Sequence, residues 1–226
     1  MHPLDNPAWT ALAGPHARFA ERHGEALRYP PDVTPWAAIA TQDAWCDLAE
    51  LAGPDGSAVL VGDVRTPPPS WETEMRLAGV QLDGSGMDVA PDDEAVVLGA
   101  ADVPEMLHLV ARTQPGPFLP RTHEMGAYLG IRRGGALVAM AGERLRPPGW
   151  SEISAVCTDP AFRGAGLGAR LVRAVGAVIR ERGDVPFLHA AAANREAVRL
   201  YEGLGFTLRR TVEFAAFRVP AAQPVR

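Results

Sequence analysis

The stretch Ala155-Val-Cys-Thr-Asp-Pro-Ala-Phe-Arg-Gly-Ala-Gly-Leu-Gly-Ala-Arg170 decides the reading of this chain. Alternation before it predicts a strand, with Ile153, Ala155 and Cys157 facing one way and Ser154, Val156 and Thr158 the other. Pro160 ends that strand, because proline donates nothing to a sheet. Leu167, Leu171, Val175, Val178 and Ile179 then recur at helical spacing, with Arg170, Arg173 and Arg180 on the opposite face. Gly183 stands where that helix would close.

Between strand and helix lie Arg163, Gly164, Ala165, Gly166, Leu167 and Gly168. Glycine at the mouth of a helix lets a ligand approach the backbone without meeting a Cβ atom. The first amides of the helix have no internal partners, and its dipole is positive there. Arg163 adds a fixed positive charge, so the segment reads as a pyrophosphate site.

The spacing is neither G-x-G-x-x-G nor a phosphate loop ending in Lys-Ser or Lys-Thr. Arg163-Gly164-Ala165-Gly166-Leu167-Gly168 instead resembles the acetyl-CoA signature of the GNAT acetyltransferases. A second run, from Asn194 through Tyr201 to Gly205-Phe206, resembles that family's Asn-x-x-Ala-x-x-x-Tyr-x-x-x-Gly-Phe pattern. The resemblance extends from roughly Glu94 to Val219 and implies an α/β (α+β) fold. It would be a mixed, mostly antiparallel twisted sheet flanked by helices, with acetyl-CoA as co-substrate and no metal.

The domain organisation expected from this is a smaller N-terminal α/β lobe over residues 1–90, a GNAT domain over 91–220 and a flexible tail over 221–226. Some members of the family carry an N-terminal lobe resembling a worn second copy of the fold, and residues 1–90 could be one. This region holds Trp9, Trp36, Trp45 and Trp71, read as core or interface anchors or as an aromatic substrate wall. A helix is expected from Asn6 towards Phe19, another over Asp43 to Leu51, and a strand over Ala58 to Gly62. Leu82 to Met87 reads as a flexible joint. Further on, Asp102 is expected to cap a helix, Tyr128 to Arg132 and Ala136 to Leu145 to form a hairpin, and Phe187 to Ala192 another strand. Phe206 to Leu208 and Thr211 to Val219 are expected to close as a final hairpin.

Composition narrows the function. The chain has 226 residues, 47% hydrophobic, with a net charge of -5, and no basic cluster stands out, which disfavours nucleic-acid binding. An acidic chain would more readily tolerate a cationic or amine-bearing substrate. Two distant cysteines, Cys46 and Cys157, fit a reducing cytoplasm. Neither a signal peptide nor a membrane-spanning stretch is read, so a cytoplasmic location without membrane contact is expected.

Acetyl transfer to an amine requires a deprotonated amine, stabilisation of the carbonyl oxygen and a proton for the departing thiolate. Tyr201 suits the last role, since a phenol at ~10 holds its proton above a thiol at ~8.5. By resemblance, that tyrosine lies near the CoA sulfur and Asn194 contacts the pantetheine arm. Val156, Cys157 and Thr158 would offer backbone groups to the same arm. Glu143 and Glu152, on adjacent strands, are the candidate bases. Each also reads as a solvated or paired glutamate, and His123 and Glu124 stand further off. The expected activity is direct acetyl transfer to a primary amine of a small molecule or amino acid. A non-catalytic acetyl-CoA sensor and a protein or peptide N-acetyltransferase remain open beside it, as does a homodimer.

Overall fold

The chain is described from a computed structural model that covers residues 2–41, 43–64 and 66–220. The expected tail at 221–226 lies outside the described residues. In chain order the strands are β1 (Glu21–His23), β2 (Ala26–Arg28), β3 (Ala37–Ile39), β4 (Ser57–Gly62), β5 (Glu72–Asp83) and β6 (Val96–Leu98). They continue with β7 (Tyr128–Arg133), β8 (Ala136–Glu143), β9 (Trp150–Thr158), β10 (Val185–Ala191) and β11 (Thr207–Arg218). The helices are α1 (Pro7–Leu12), α2 (Trp45–Ala52), α3 (Val103–Thr113), α4 (Leu167–Glu181) and α5 (Arg195–Gly203).

Strands β1, β2 and β3 make a small antiparallel sheet. The other eight form one sheet in the order β4-β11-β5-β10-β9-β8-β7-β6, antiparallel throughout except for the parallel pair β9–β10. The fold is therefore the mixed, mostly antiparallel α+β sheet expected. Helix α4 lays Leu171, Val172, Val175 and Ile179 on one face of it, against Leu129, Ile131, Val138 and Ile153. Helix α3 covers the other face, with Met106 and Leu109 against Tyr128, Met140 and Cys157. The N-terminal segment packs Leu4, Leu12, Tyr29 and Trp36 beside Phe187, near the start of β10.

Several local expectations are corrected. The final hairpin does not form: β11 is one strand, with register shifts against β5 between Leu208 and Arg210 and between Ala216 and Phe217. A two-residue hairpin turn needs residues that accept positive φ, and Arg209-Arg210 supplies none. β11 instead pairs with β4 and β5, both from the first ninety residues, and β5 lies between β10 and β11. Leu82 and Asp83, expected in a flexible joint, are the end of β5 and pair with Leu188 and Phe187. The first helix stops at Leu12 because Gly14-Pro15 follows. Asp102 makes no cap bond to α3; its carboxylate accepts from the Gly99 N–H at 2.8 Å and from Arg132.

The strict alternation expected of β9 also fails. Ala155 sits at φ 53, and one extra residue on β9 is accommodated between the pairs Met140–Cys157 and Gly142–Ser154. This bulge turns Ile153 and Val156 towards α4, while Ala155 and Cys157 join the cluster under α3.

Candidate active site

Strands β9 and β10 pair only at their starts, through Trp150–Val185, Ser151–Pro186 and Glu152–Phe187. Beyond that point they part. A cavity of about 630 Å³ occupies the opening, walled by Ile153 to Thr158 on one side and His189 to Ala191 on the other. Arg163 stands at its loop end, α5 contributes Asn194 and Tyr201, and the segment Thr113 to Pro117 borders it. At the end where the strands converge lie Trp36, Arg144 and Phe214.

The glycine loop has the chemistry of an anion cradle. Gly164 and Gly166 lie at φ +81 and +72, and a Cβ on either would meet nothing within 4 Å. Glycine is required there by backbone conformation and leaves the space above it free. The first backbone bond of α4 runs from the Arg170 N–H to the Gly166 carbonyl at 3.1 Å. Among the described residues, the N–H groups of Gly164 to Ala169, including those of Ala165, Leu167 and Gly168, donate to no protein acceptor. Asp92 and Glu94 hold Arg170 and so fix the helix end from the side.

Asn194 caps α5 by accepting from the Ala197 N–H at 3.1 Å, and it also borders the cavity. Tyr201 is buried beside Phe206, and burial, with Cys157 nearby, pushes its phenol up to about 12. Burial raises the Cys157 thiol to about 11, which disfavours its thiolate at neutral pH.

The structure does not bring the two candidate bases into the cavity. Glu143 is buried, held by Ser151, by the Arg182 guanidinium and by the Ala127 N–H at 3.1 Å. Glu152 is fully buried behind the cavity wall. It receives Arg144 Nε at 2.9 Å, Arg144 Nη2 at 2.7 Å and His189 Nδ1 at 2.7 Å. Burial alone would raise its pKa; the Arg144 guanidinium and His189 outweigh this and hold it well below the usual carboxylate range. His189, read as a core histidine, lines the cavity, and its Nε2 accepts from Gln81 Nε2 at 3.0 Å. Glu124 is tied to Arg121, and neither it nor His123 lines the cavity. Of the tryptophans, Trp36 reaches the cavity, whereas Trp71 packs edge-on against Trp45.

Sequence reasoning passed over Arg144. The signal was present: Arg146-Pro147-Pro148-Gly149 is a turn, and folding back across it sets Arg144 opposite Glu152, with the Arg144 N–H donating to the Glu152 carbonyl at 2.9 Å.

Comparison with known proteins agrees with this geometry. A family model described as FR47-like protein matches residues 128–215. The chain is 35% identical over 129 residues to the N-alpha-acetyltransferase RimI of Mycobacterium tuberculosis, covering 51% of this chain and 80% of the relative. It is 51% identical over 63 residues to a mycothiol acetyltransferase of Thermobispora bispora, covering 27% of this chain and 21% of that one. A crystal structure of an acetyltransferase assigned to the GNAT family, from Novosphingobium aromaticivorans, superposes with a TM-score of 0.91 at 40% identity. That match covers 99% of this chain and all of the other. A GCN5-related N-acetyltransferase from Kribbella flavida shares the fold at a TM-score of 0.60 and 19% identity, over 96% of both chains.

Proposed function

The chain belongs to the GNAT superfamily of acetyltransferases, and on that premise we propose that it moves an acetyl group from acetyl-CoA directly to the primary amine of a small molecule. The observation carrying this reading is the opening between β9 and β10. It leads from a loop of unpartnered amides, past Tyr201, to a pocket closed by Trp36, Arg144 and Phe214.

In this reading the amides of Gly164 to Ala169 and the Arg163 guanidinium bind the diphosphate of coenzyme A. The backbone of Val156, Cys157 and Thr158 and the side chain of Asn194 border the pantetheine arm. Acetyl-CoA supplies the thioester-bound acetyl group. The bulge at Ala155 leaves Val156 out of the regular β8 ladder, so its N–H is the group proposed to face the thioester oxygen. Tyr201 stays protonated well above neutral pH and can hand a proton to the departing sulfur.

Among the described residues no carboxylate lines the cavity, and both ring nitrogens of His189 are already bonded. We therefore assign the amine's proton to solvent, so that the acceptor reacts as its free base. Glu152 positions Arg144 and His189, and Glu143 braces the end of β8 against Arg182. The strands β4 and β5 belong with residues 91–219 as the transferase unit, and Trp36 of the N-terminal segment closes the acceptor end.

Thiol release from acetyl-CoA across a panel of primary amines tests the reading. Amine-dependent release is expected, with kcat/KM rising with pH towards the acceptor's own amine pKa. Acetyl-CoA binding without release for any amine would overturn it.

A further inference from the structure

Arg144 has a feature that its pairing with Glu152 does not use. Its side chain is only 9% exposed, and its Nε and Nη2 both donate to Glu152. Its Nη1 donates to no protein atom among the described residues, and the residue forms part of the cavity wall. The guanidinium is held in place from a second direction by Trp36, whose ring centroid lies 5.0 Å from its central carbon. A guanidinium presents five donors in a rigid fork and can serve carboxylates on two edges. A nearly buried edge with no protein acceptor is matched by an oxygen on whatever fills the cavity.

The charges around the cavity say which kind of oxygen. Among the described residues its lining includes Arg144 and Arg163 and no Asp or Glu. Arg163 lies at the glycine-loop end, and among the described residues Arg144 is the cation at the acceptor end. The mildly acidic composition of the whole chain therefore gives the wrong sign for this surface. The neighbouring walls are apolar: Trp36, Val59, Met75, Leu77 and Phe214. Gln81 completes the arrangement. Arg209 occupies its oxygen at 2.7 Å, so its N–H₂ faces His189, and His189 in turn donates to Glu152. That chain keeps Glu152 on the Nε/Nη2 edge of Arg144 and leaves Nη1 for a ligand.

We infer that the acceptor is an amino acid with an apolar side chain, its carboxylate received by Nη1 of Arg144 and its amine directed to the thioester. This rests on the transferase reading above and adds to it a specificity-determining residue.

Matched acceptors test the inference on the wild-type protein. Thiol release is compared for leucine, leucinamide and isoamylamine, and for phenylalanine and phenethylamine. A charge-assisted bond predicts kcat/KM, expressed per free-base amine, at least about tenfold higher for each amino acid than for its amide or decarboxylated partner. In Arg144→Lys, which keeps a cation beside Glu152 but loses the fork, that ratio should fall towards one. Calorimetry of N-acetylleucine against N-isoamylacetamide, each added to protein with coenzyme A, reads the subsite without turnover. Binding confined to the carboxylate supports the subsite even if no amine releases thiol, an outcome that would sink the transferase reading alone. Equal release, or a preference for the partners that lack a carboxylate, would overturn the subsite and leave the transferase standing.

Discussion

Arg144 and Glu152 face each other across the β8–β9 turn and share two hydrogen bonds, Nε to Oε2 at 2.9 Å and Nη2 to Oε1 at 2.7 Å, with the carboxylate wholly out of solvent. Removing one partner of such a pair strands a charge in the interior. Glu152→Gln should therefore lose about 3–5 kcal/mol of stability, read as a shift in the urea midpoint at constant slope. A catalytic base would behave differently, with an altered pH profile in a protein of undiminished stability. The structure predicts the first pattern.

A pH response is built in at His16. Burial lowers its imidazole from 6.5 to about 4, while its Nε2–H donates to the Met125 carbonyl at 3.0 Å and its Nδ1 accepts from the Tyr29 hydroxyl at 2.9 Å. Between these two values the unfolded chain binds a proton that the folded chain does not. Stability therefore rises with pH across this window and falls as pH drops from 6.5 towards 4. At about 1.4 kcal/mol per pH unit this single group contributes about 3 kcal/mol. His16→Asn should flatten the dependence of Tm on pH over that window; an unchanged slope would remove His16 as its origin.

Two glycines separate conformation from packing. Gly166 lies at φ +72 in open space, so Gly166→Ala should cost about 1–2 kcal/mol through its backbone alone, together with weakened acetyl-CoA binding. Gly142 lies in β8, and a Cβ there would come within 2.2 Å of the Tyr128 ring, whose other neighbours include Phe118. Gly142→Ala should cost about 1–3 kcal/mol by overpacking, without a specific effect on acetyl-CoA affinity. Thermal melts with and without acetyl-CoA distinguish the two cases.

These sites differ in how much of them could be read beforehand. The glycine loop and the capped helix α5 rest on contacts between near neighbours, so Gly164, Gly166 and Asn194 announce themselves in sequence. The place of β5 does not, because it pairs with β10 and β11 across more than a hundred residues, and its outer half is exposed on both faces, which erases the alternation. The surroundings of the candidate bases were hidden for a related reason. Glu143 and Glu152 look alike in sequence, and only the positions of Arg182, Arg144 and His189 reveal that both carboxylates are already taken. Arg144 was overlooked because the turn at Arg146 to Gly149 shows a chain reversal but not which side chains it sets face to face.

Cys157 borders the same cavity, and its environment argues against a covalent acetyl-enzyme. With its thiol near 11, the thiolate is scarce at neutral pH. Cys157→Ala should retain turnover within about threefold, because the single lost sulfur leaves only a small packing defect. Trapping of an acetylated protein in mass spectra during turnover, lost in this variant, would reverse the assignment.

Tyr201 bears the sharpest test of the chemistry. Its phenol is raised to about 12 first by burial and then by the nearby Cys157, both of which disfavour the phenolate. The group thus keeps its proton throughout the physiological range; because it is a weaker acid than a thiol at ~8.5, complete transfer to a free thiolate is uphill, and the hydroxyl acts by sharing its proton with the sulfur while the C–S bond breaks. Removing the hydroxyl alone leaves the ring and its edge-on contact with Phe206, at a centroid distance of 5.9 Å. Tyr201→Phe should consequently fold as the parent does, bind acetyl-CoA with little change and lose at least about tenfold in kcat, towards the lower end of what general acids contribute. If the loss appeared instead in acetyl-CoA affinity with kcat intact, the hydroxyl would be a binding contact, and the proton for the sulfur would have to come from solvent.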